Sequence, residues 1–491
     1  MGFQIENGVL EKYTKEPGVT EVVIPDSVTE IGDHAFENCE SIASITIPDD
    51  VTSIGESAFS GCSRLIKVTI GNSVTSIGKS AFSGCSRLTK VTIGNSVTEI
   101  GYSAFSGCKS LACITIPDSV TEIGDEAFSG TPWLENYPND LVIVGKGILY
   151  KYKGTDTNVI IPDSVTSIGE AAFRWCESLA SITIPDSVTE IGDHAFENCI
   201  SLTSVTIPDS VKKIGGGAFY GCESLASITI PDSVTQIGSG AFDCCTSLAS
   251  ITIPDSVTEI GNGAFDGCTS LASITIPDSV KKIGRSAFSG CKSLESIDVK
   301  KGNLKYSSID GILYDSSGKK LILCPQGRKA AVIPDSVKKI DNEAFSGCES
   351  LKKLTIFGCT VDNTRWNWDK VQIPDVRSML DKKEYNVTMD HPTKYMFVTQ
   401  VFLNTAQPEA EAYIKKNALK IIKWLIDADD YKTVKGLFES GKFVTKRNIM
   451  KFVDHSIEHT QNGGDMQIQA YIMDYKNKHF PDTDPLKNVK L

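Results

Sequence analysis

The chain has 491 residues, 41% of them apolar and 22% charged, and a net charge of −12. It is too long for one ordinary core and too apolar for a disordered chain. The acidic balance argues against phosphate-backbone binding, which needs clustered Lys and Arg, and no stretch reaches the roughly 18–20 apolar residues of a membrane span, so neither nucleic acid nor a membrane is an expected partner.

The first residues, from Met1 to Tyr13, lack the basic start and apolar run of a signal peptide, and the last, from Pro485 to Leu491, carry no apolar anchor. On these residues the expected location is cytoplasmic. Ile5-Glu6-Asn7-Gly8-Val9-Leu10-Glu11-Lys12-Tyr13 places a Gly turn between alternating apolar stretches, which predicts a hairpin. Residues 1–24 are read as an N-terminal hairpin cap.

From there one dipeptide dominates. Ala-Phe recurs with Phe at 36, 59, 82, 105 and 128, at 173, 196, 219, 242, 265 and 288, and at 345, spaced by 23 residues within each run. Twelve copies at one period predict a solenoid, in which each turn buries its apolar side only against its neighbours. In the turn that starts at Phe242, Ile251-Thr252-Ile253 reads as a short strand with both Ile side chains inward. Pro254 ends it, Asp255 and Ser256 form a turn bonded to nearby backbone, and Gly261 is expected in a tight bend at positive φ. The expected fold is a repeat solenoid, a β-rich coil of about twelve turns over 25–356. Hairpin insertions are expected near 131–158 and 299–330, carried by Val144–Tyr152 and Ile309–Asp315.

Residues 357–404, with Trp366 and Trp368, lose the period and read as a linker or transition. Residues 405–491 have helical spacing: Ala418, Ile421, Ile422 and Leu425 share one face, Gly441 ends a second helix, and Thr445 is the expected N-cap of a third. A further helix carries Ile468, Tyr471 and Ile472. Val434 and Ile468, like Phe438 and Ile472, are 34 residues apart, which resembles degenerate ankyrin-like helix pairs.

Eleven of the fifteen cysteines sit three residues after a repeat Phe. One thiol per turn is a ladder inside the coil, in which Cys acts as a small apolar residue with a weak S–H donor for backbone carbonyls. A metal cluster instead needs several ligands converging on one point. Cys113, Cys244, Cys324 and Cys359 lie off the ladder and are the candidates for exposed, reactive thiols.

The pattern Leu-x-x-Ile-x-Ile-Pro-x-x-Val-x-x-Ile-Gly-x-x-Ala-Phe-x-x-Cys, in phase over residues 22–356, resembles the 23-residue leucine-rich repeat of the BspA-like (Bacteroides surface protein A-like) proteins of bacteria and some protozoa. The resemblance implies a leucine-rich repeat solenoid used for binding, often described as adhesion to host or matrix proteins, with no enzymatic activity and with the cell surface as the alternative location.

The outward strand positions are the candidate binding face: Thr46, Lys67, Thr69, Lys90, Thr92, Thr115, Thr183, Thr206, Thr229, Thr252, Thr275 and Thr355. Such a face either grips something repetitive through many weak contacts or is a solvated sheet, since it holds almost no Trp, Tyr or Arg. Trp133 and Tyr137, beside the first insertion, are candidate aromatic contacts. Asp follows Pro in most turns; stacked carboxylates there could attract Ca²⁺, though a turn cap is the simpler reading. His455 and His459, four apart, could share a helix face, but a metal site would need a third ligand. No catalytic residues, metal or cofactor are expected. Residues 1–356 hold 29 Lys/Arg against 43 Asp/Glu, and 357–491 hold 20 against 18, so the acidic solenoid should steer basic partners. The expected function is a non-enzymatic scaffold for protein or glycan binding. The alternative is a structural spacer or assembly element whose C-terminal helical domain makes the specific contact.

Overall fold

In the computed structural model the described residues are 2–14, 18–356, 359–362 and 391–481. The expected Trp366 and Trp368, and most of the expected linker, lie outside them. The chain divides into two compact units, Met1–Cys291 and Lys292–Leu491.

Unit one holds most of the expected solenoid. Glu21–Val23, Ser44–Thr46, Lys67–Thr69 and Lys90–Thr92 form one parallel sheet, and Asn158–Ile160, Ser181–Thr183, Ser204–Thr206, Ser227–Thr229 and Ser250–Thr252 form another. The register advances by one repeat at each step, so that Ile182, Val205, Ile228 and Ile251 stack on one another. A second, narrower parallel ladder runs along each coil. It is built from two-residue strands, Glu30–Ile31 to Glu122–Ile123 and Ser167–Ile168 to Lys282–Ile283. Two residues are too few to show a period, so these strands have no signature of their own in the sequence.

The interior is arranged in columns. Phe36, Phe59, Phe82, Phe105 and Phe128 stack with ring centroids 4.9–5.5 Å apart, as do Phe173 to Phe288 at 5.2–5.8 Å. Their planes lie within 12° of parallel. The hairpins supply the ends of these stacks. Tyr13 packs on Phe36 and Tyr152 on Phe173, while the Tyr150 hydroxyl accepts the Phe128 N–H at 3.1 Å.

The turn residues reach further than expected. Ser256 Oγ donates to Val234 O in the preceding coil at 2.6 Å, and Ser187, Ser210 and Ser279 make the same bond. In these turns the serine thus clamps one coil to the coil before it rather than capping its own turn. Gly261 also differs from expectation, since it is not at positive φ. A Cβ there would lie 2.5 Å from Ser239 N and 2.6 Å from Gly238 C. The position needs glycine because successive backbones touch, not because the chain turns left-handed.

Both expected hairpins in unit one are present. Gly2–Glu6 pairs antiparallel with Val9–Thr14, and Leu141–Val144 with Ile148–Tyr152. Between the first repeat run and the second hairpin lies α1 (Pro132–Glu135). Thr131, the one break in the Phe-x-x-Cys pattern, starts it: its Oγ1 accepts from Leu134 N and donates to Phe128 O.

In unit two the third expected hairpin becomes a three-stranded meander, Tyr306–Ile309, Ile312–Asp315 and Lys320–Leu323. Ala330–Ile333 and Lys353–Ile356 pair in parallel, and Cys359–Asp362 runs antiparallel on the latter. Among the described residues five helices follow: α2 (His391–Thr405), α3 (Pro408–Asp427), α4 (Tyr431–Glu439), α5 (Ile449–Gln461) and α6 (Met466–His479). Ala418, Ile421, Ile422 and Leu425 are buried on α3, as the spacing predicts, and share one core with Tyr314, Phe345 and Leu354. Gly441 follows α4 at φ 68°. Helix α5 starts later than expected. Asn448, not Thr445, is its N-cap, because Asn448 Oδ1 accepts the Thr445 N–H and holds residues 445–448 in a turn.

Candidate functional site

Alternation along each strand divides the side chains into two sets. Ile182, Val205, Ile228 and Ile251 are buried, while Thr183, Thr206, Thr229 and Thr252 between them are exposed. Thr46, Thr92 and Thr275 are exposed likewise, and Thr69 is half-buried. Thr355, in unit two, is half-buried, with its hydroxyl 2.9 Å from that of Thr360 on the next strand. In the longer sheet the result is a row of hydroxyls at the strand separation of about 4.8 Å.

The first sheet is chemically different. Lys67 and Lys90 are register partners, and Arg64 and Arg87 stand three residues before them, all four exposed. None makes an ion pair among the described residues. Beyond Lys90–Thr92 the sheet opens. Thr115 lies in an unpaired stretch, exposed, on a groove of about 560 Å³ between Lys90–Ile93 and Cys113–Pro117. The exposed Cys113 lines the same groove.

The thiol ladder has the expected geometry. Cys62, Cys85, Cys108, Cys199, Cys222, Cys245, Cys268 and Cys291 each donate S–H to the carbonyl of the Phe 26 residues earlier, at 3.1–3.2 Å. Burial pushes the Cys108, Cys222 and Cys291 thiols up to about 12, far from the reactive thiolate range. Cys324 is buried, Cys244 is half-buried, and the Cys359 side chain is outside the described residues.

Trp133 and Tyr137 are half-buried. Trp133 packs edge-on against Phe128 at 4.7 Å and against Tyr137, whose hydroxyl donates to Ile143 O. The aromatic ring most open to solvent in unit one is Trp175, which is 59% exposed. It has φ 63° at a position held by glycine in most repeats, such as Gly84 and Gly221. A bulky residue in that region is strained, and strain of this kind collects at functional positions. Its neighbour Arg174 is held by Asp125 at 3.0 Å and Glu197 at 3.2 Å. Trp175 could have been singled out beforehand by aligning the repeats, since it replaces Gly.

His455 and His459 lie on one face of α5, and each has its own carboxylate across the helix pair. His455 Nε2 is 2.7 Å from Asp427 Oδ1, and His459 Nε2 is 2.5 Å from Asp429 Oδ1. These pairs tie α5 to the end of α3. Among the described residues no helix is long and apolar enough to cross a membrane.

The BspA-type leucine-rich repeat region matches this chain in six copies, over residues 11–135, 145–268, 235–317 and 327–363. Among solved structures, a leucine-rich repeat protein from Bacteroides ovatus ATCC 8483 is 29% identical, covering 71% of this chain and 78% of its own, at a TM-score of 0.35. A leucine-rich cell surface protein from Faecalibacterium prausnitzii A2-165 is 33% identical, with coverages of 60% and 90% and a TM-score of 0.31. The pneumococcal vaccine antigen PcpA is 19% identical, with coverages of 72% and 95% and a TM-score of 0.31. No curated protein matches the chain. The repeat match extends over well over half of the residues, in phase with the stacked Phe and Cys columns: the chain belongs to the BspA-type leucine-rich repeat family.

Proposed function

We propose that the protein is a non-enzymatic scaffold that binds a protein or glycan along its strand face. The observation that supports this reading is the row Thr183, Thr206, Thr229 and Thr252, which a rigid, fully buried column holds in one register. A surface already ordered before contact loses little conformational entropy on binding, and equal contacts repeated along a row add through multivalency. The exposed cations Lys67 and Lys90 give the first sheet a separate preference for acidic groups. The family is read as acting by adhesion, which makes the cell surface the compartment to test. Fractionation of the source cells, with the chain followed by antibody, separates a surface location from a cytoplasmic one.

The direct test is an array of immobilised matrix proteins and glycans, probed with the full chain and with a Thr183→Glu, Thr206→Glu, Thr229→Glu variant. Loss of the native signals in the variant supports the strand face. Full retention, with the fold intact by circular dichroism, removes it.

A further inference from the structure

Each block of repeats begins with a hairpin or meander that caps one of its two sheets and, among the described residues, leaves the other with no strand on its first edge. Leu10, Leu149 and Leu321 pair with Ile31, Ile168 and Ile340, so the narrow sheets start on a covered edge. The strand-face sheets start at Glu21–Val23, Asn158–Ile160 and Ala330–Ile333, and among the described residues each of these strands is paired on one side only. At all three the outward Thr of the ladder gives way to an aliphatic residue. Val23, Ile160 and Val332 are register partners of Thr46, Thr183 and Thr355, and they are 76%, 75% and 56% exposed. Proteins usually guard an open edge with charge or proline; at Ala330 the Arg328 guanidinium does so, its Nε donating to Ala330 O at 3.1 Å, whereas the edge at Asn158–Ile160 carries an apolar side chain and so marks a place for strand pairing.

The middle site is the best defined. The Ile161 N–H donates to Thr183 O, and Thr157 O accepts from Ala180 N, so odd-numbered residues face the next coil. Backbone groups alternate along a strand, which turns the N–H and C=O of Asn158 and Ile160 to the open side. No protein group bonds them among the described residues. They face a groove of about 510 Å³, walled by the half-buried Leu141 and Ile143 of the hairpin and rimmed by Asp140 and Asp156. Neither carboxylate has an ion-pair partner among the described residues, and the nearby Lys153 ammonium is turned away to the carbonyls of Glu135 and Tyr137.

We propose that Asn158–Ile160 is a strand-addition site for an extended peptide whose aliphatic residues are flanked by Lys or Arg. The peptide main chain pairs with Asn158 and Ile160, its aliphatic side chains cover Ile160 beside Leu141 and Ile143, and its cations meet Asp140 and Asp156. This recognition uses the sheet edge and is independent of the strand-face reading above.

The probe is a fluorescein-labelled acetyl-Lys-Val-Thr-Ile-Lys-amide peptide, patterned on the strand at Lys90, with the full chain titrated by fluorescence polarisation. Saturable binding is expected, weakened at least tenfold by N-methylation of alternate peptide amides and by Ile160→Pro. Proline there removes no hydrogen bond that the protein makes with itself, so folding is preserved. Asp140→Asn with Asp156→Asn should weaken binding severalfold and flatten its dependence on salt. No binding at millimolar peptide, equal binding by the folded Ile160→Pro protein, or loss only in the Thr183→Glu, Thr206→Glu, Thr229→Glu variant would each overturn the proposal.

Discussion

The columns inside the coil and the ladder on its strand face share one period but answer to different constraints. Inside, Phe219 stacks on Phe196 and Phe242, and Gly238 touches the backbone of Gly215, so a change at one turn is felt at the next. Outside, Thr206 points to solvent and contributes little to the stack. The first surface holds the protein together and leaves the second free to vary, which it does: Lys67 and Lys90 in one sheet, Ser and Thr in the other.

The sharpest way to break this comparison is in the Phe column. Phe219→Ala leaves a cavity between two rings and should cost about 3–5 kcal/mol in chemical denaturation. Gly238→Ala should cost about 1–3 kcal/mol, because the added methyl meets backbone atoms of Gly215 and Gly216 that cannot yield cheaply. A pH series tests the thiol column. The buried Cys108, Cys222 and Cys291 ionise only near about 12 when folded, against 9.0 for the ordinary group. Their contribution is therefore complete below pH about 9 and is lost as pH rises from there towards 12, since only the unfolded chain releases those protons early. A melting temperature that stays level between pH 8 and 11 would contradict this. Trp175→Gly removes the strained backbone and should leave stability unchanged or raise it by up to about 1 kcal/mol. The smallest effect belongs to the ladder: Thr206→Ala should change stability by no more than about 0.5 kcal/mol.

Much of this contrast was legible in the residues. Phe and Cys at a fixed spacing revealed the columns, and the Gly turns between apolar stretches revealed the hairpins. Other features depend on what lies 23 residues away. A single turn suggests a left-handed bend at Gly261, whereas its role comes from the backbone of the coil below. A single turn likewise suggests a local role for Ser256, whose hydroxyl in fact bonds Val234 O one coil away. The Glu-Ile and Ser-Ile strands are not legible in the sequence because a two-residue strand is defined by its partner, not by its own pattern. The strand face could be named from alternation alone, but its splitting at Lys90–Thr92 and its bare edge at Asn158–Ile160 follow from which strands find neighbours, which periodicity does not encode.

In the proposed function the outward ladder binds and the interior supports it. The most direct measurement compares the native chain with the Thr183→Glu, Thr206→Glu, Thr229→Glu variant on one array of matrix proteins and glycans, at matched fold and stability. Array signals that the native chain gives and the variant loses are the predicted result. Identical signals from both would show that the ladder does not bind.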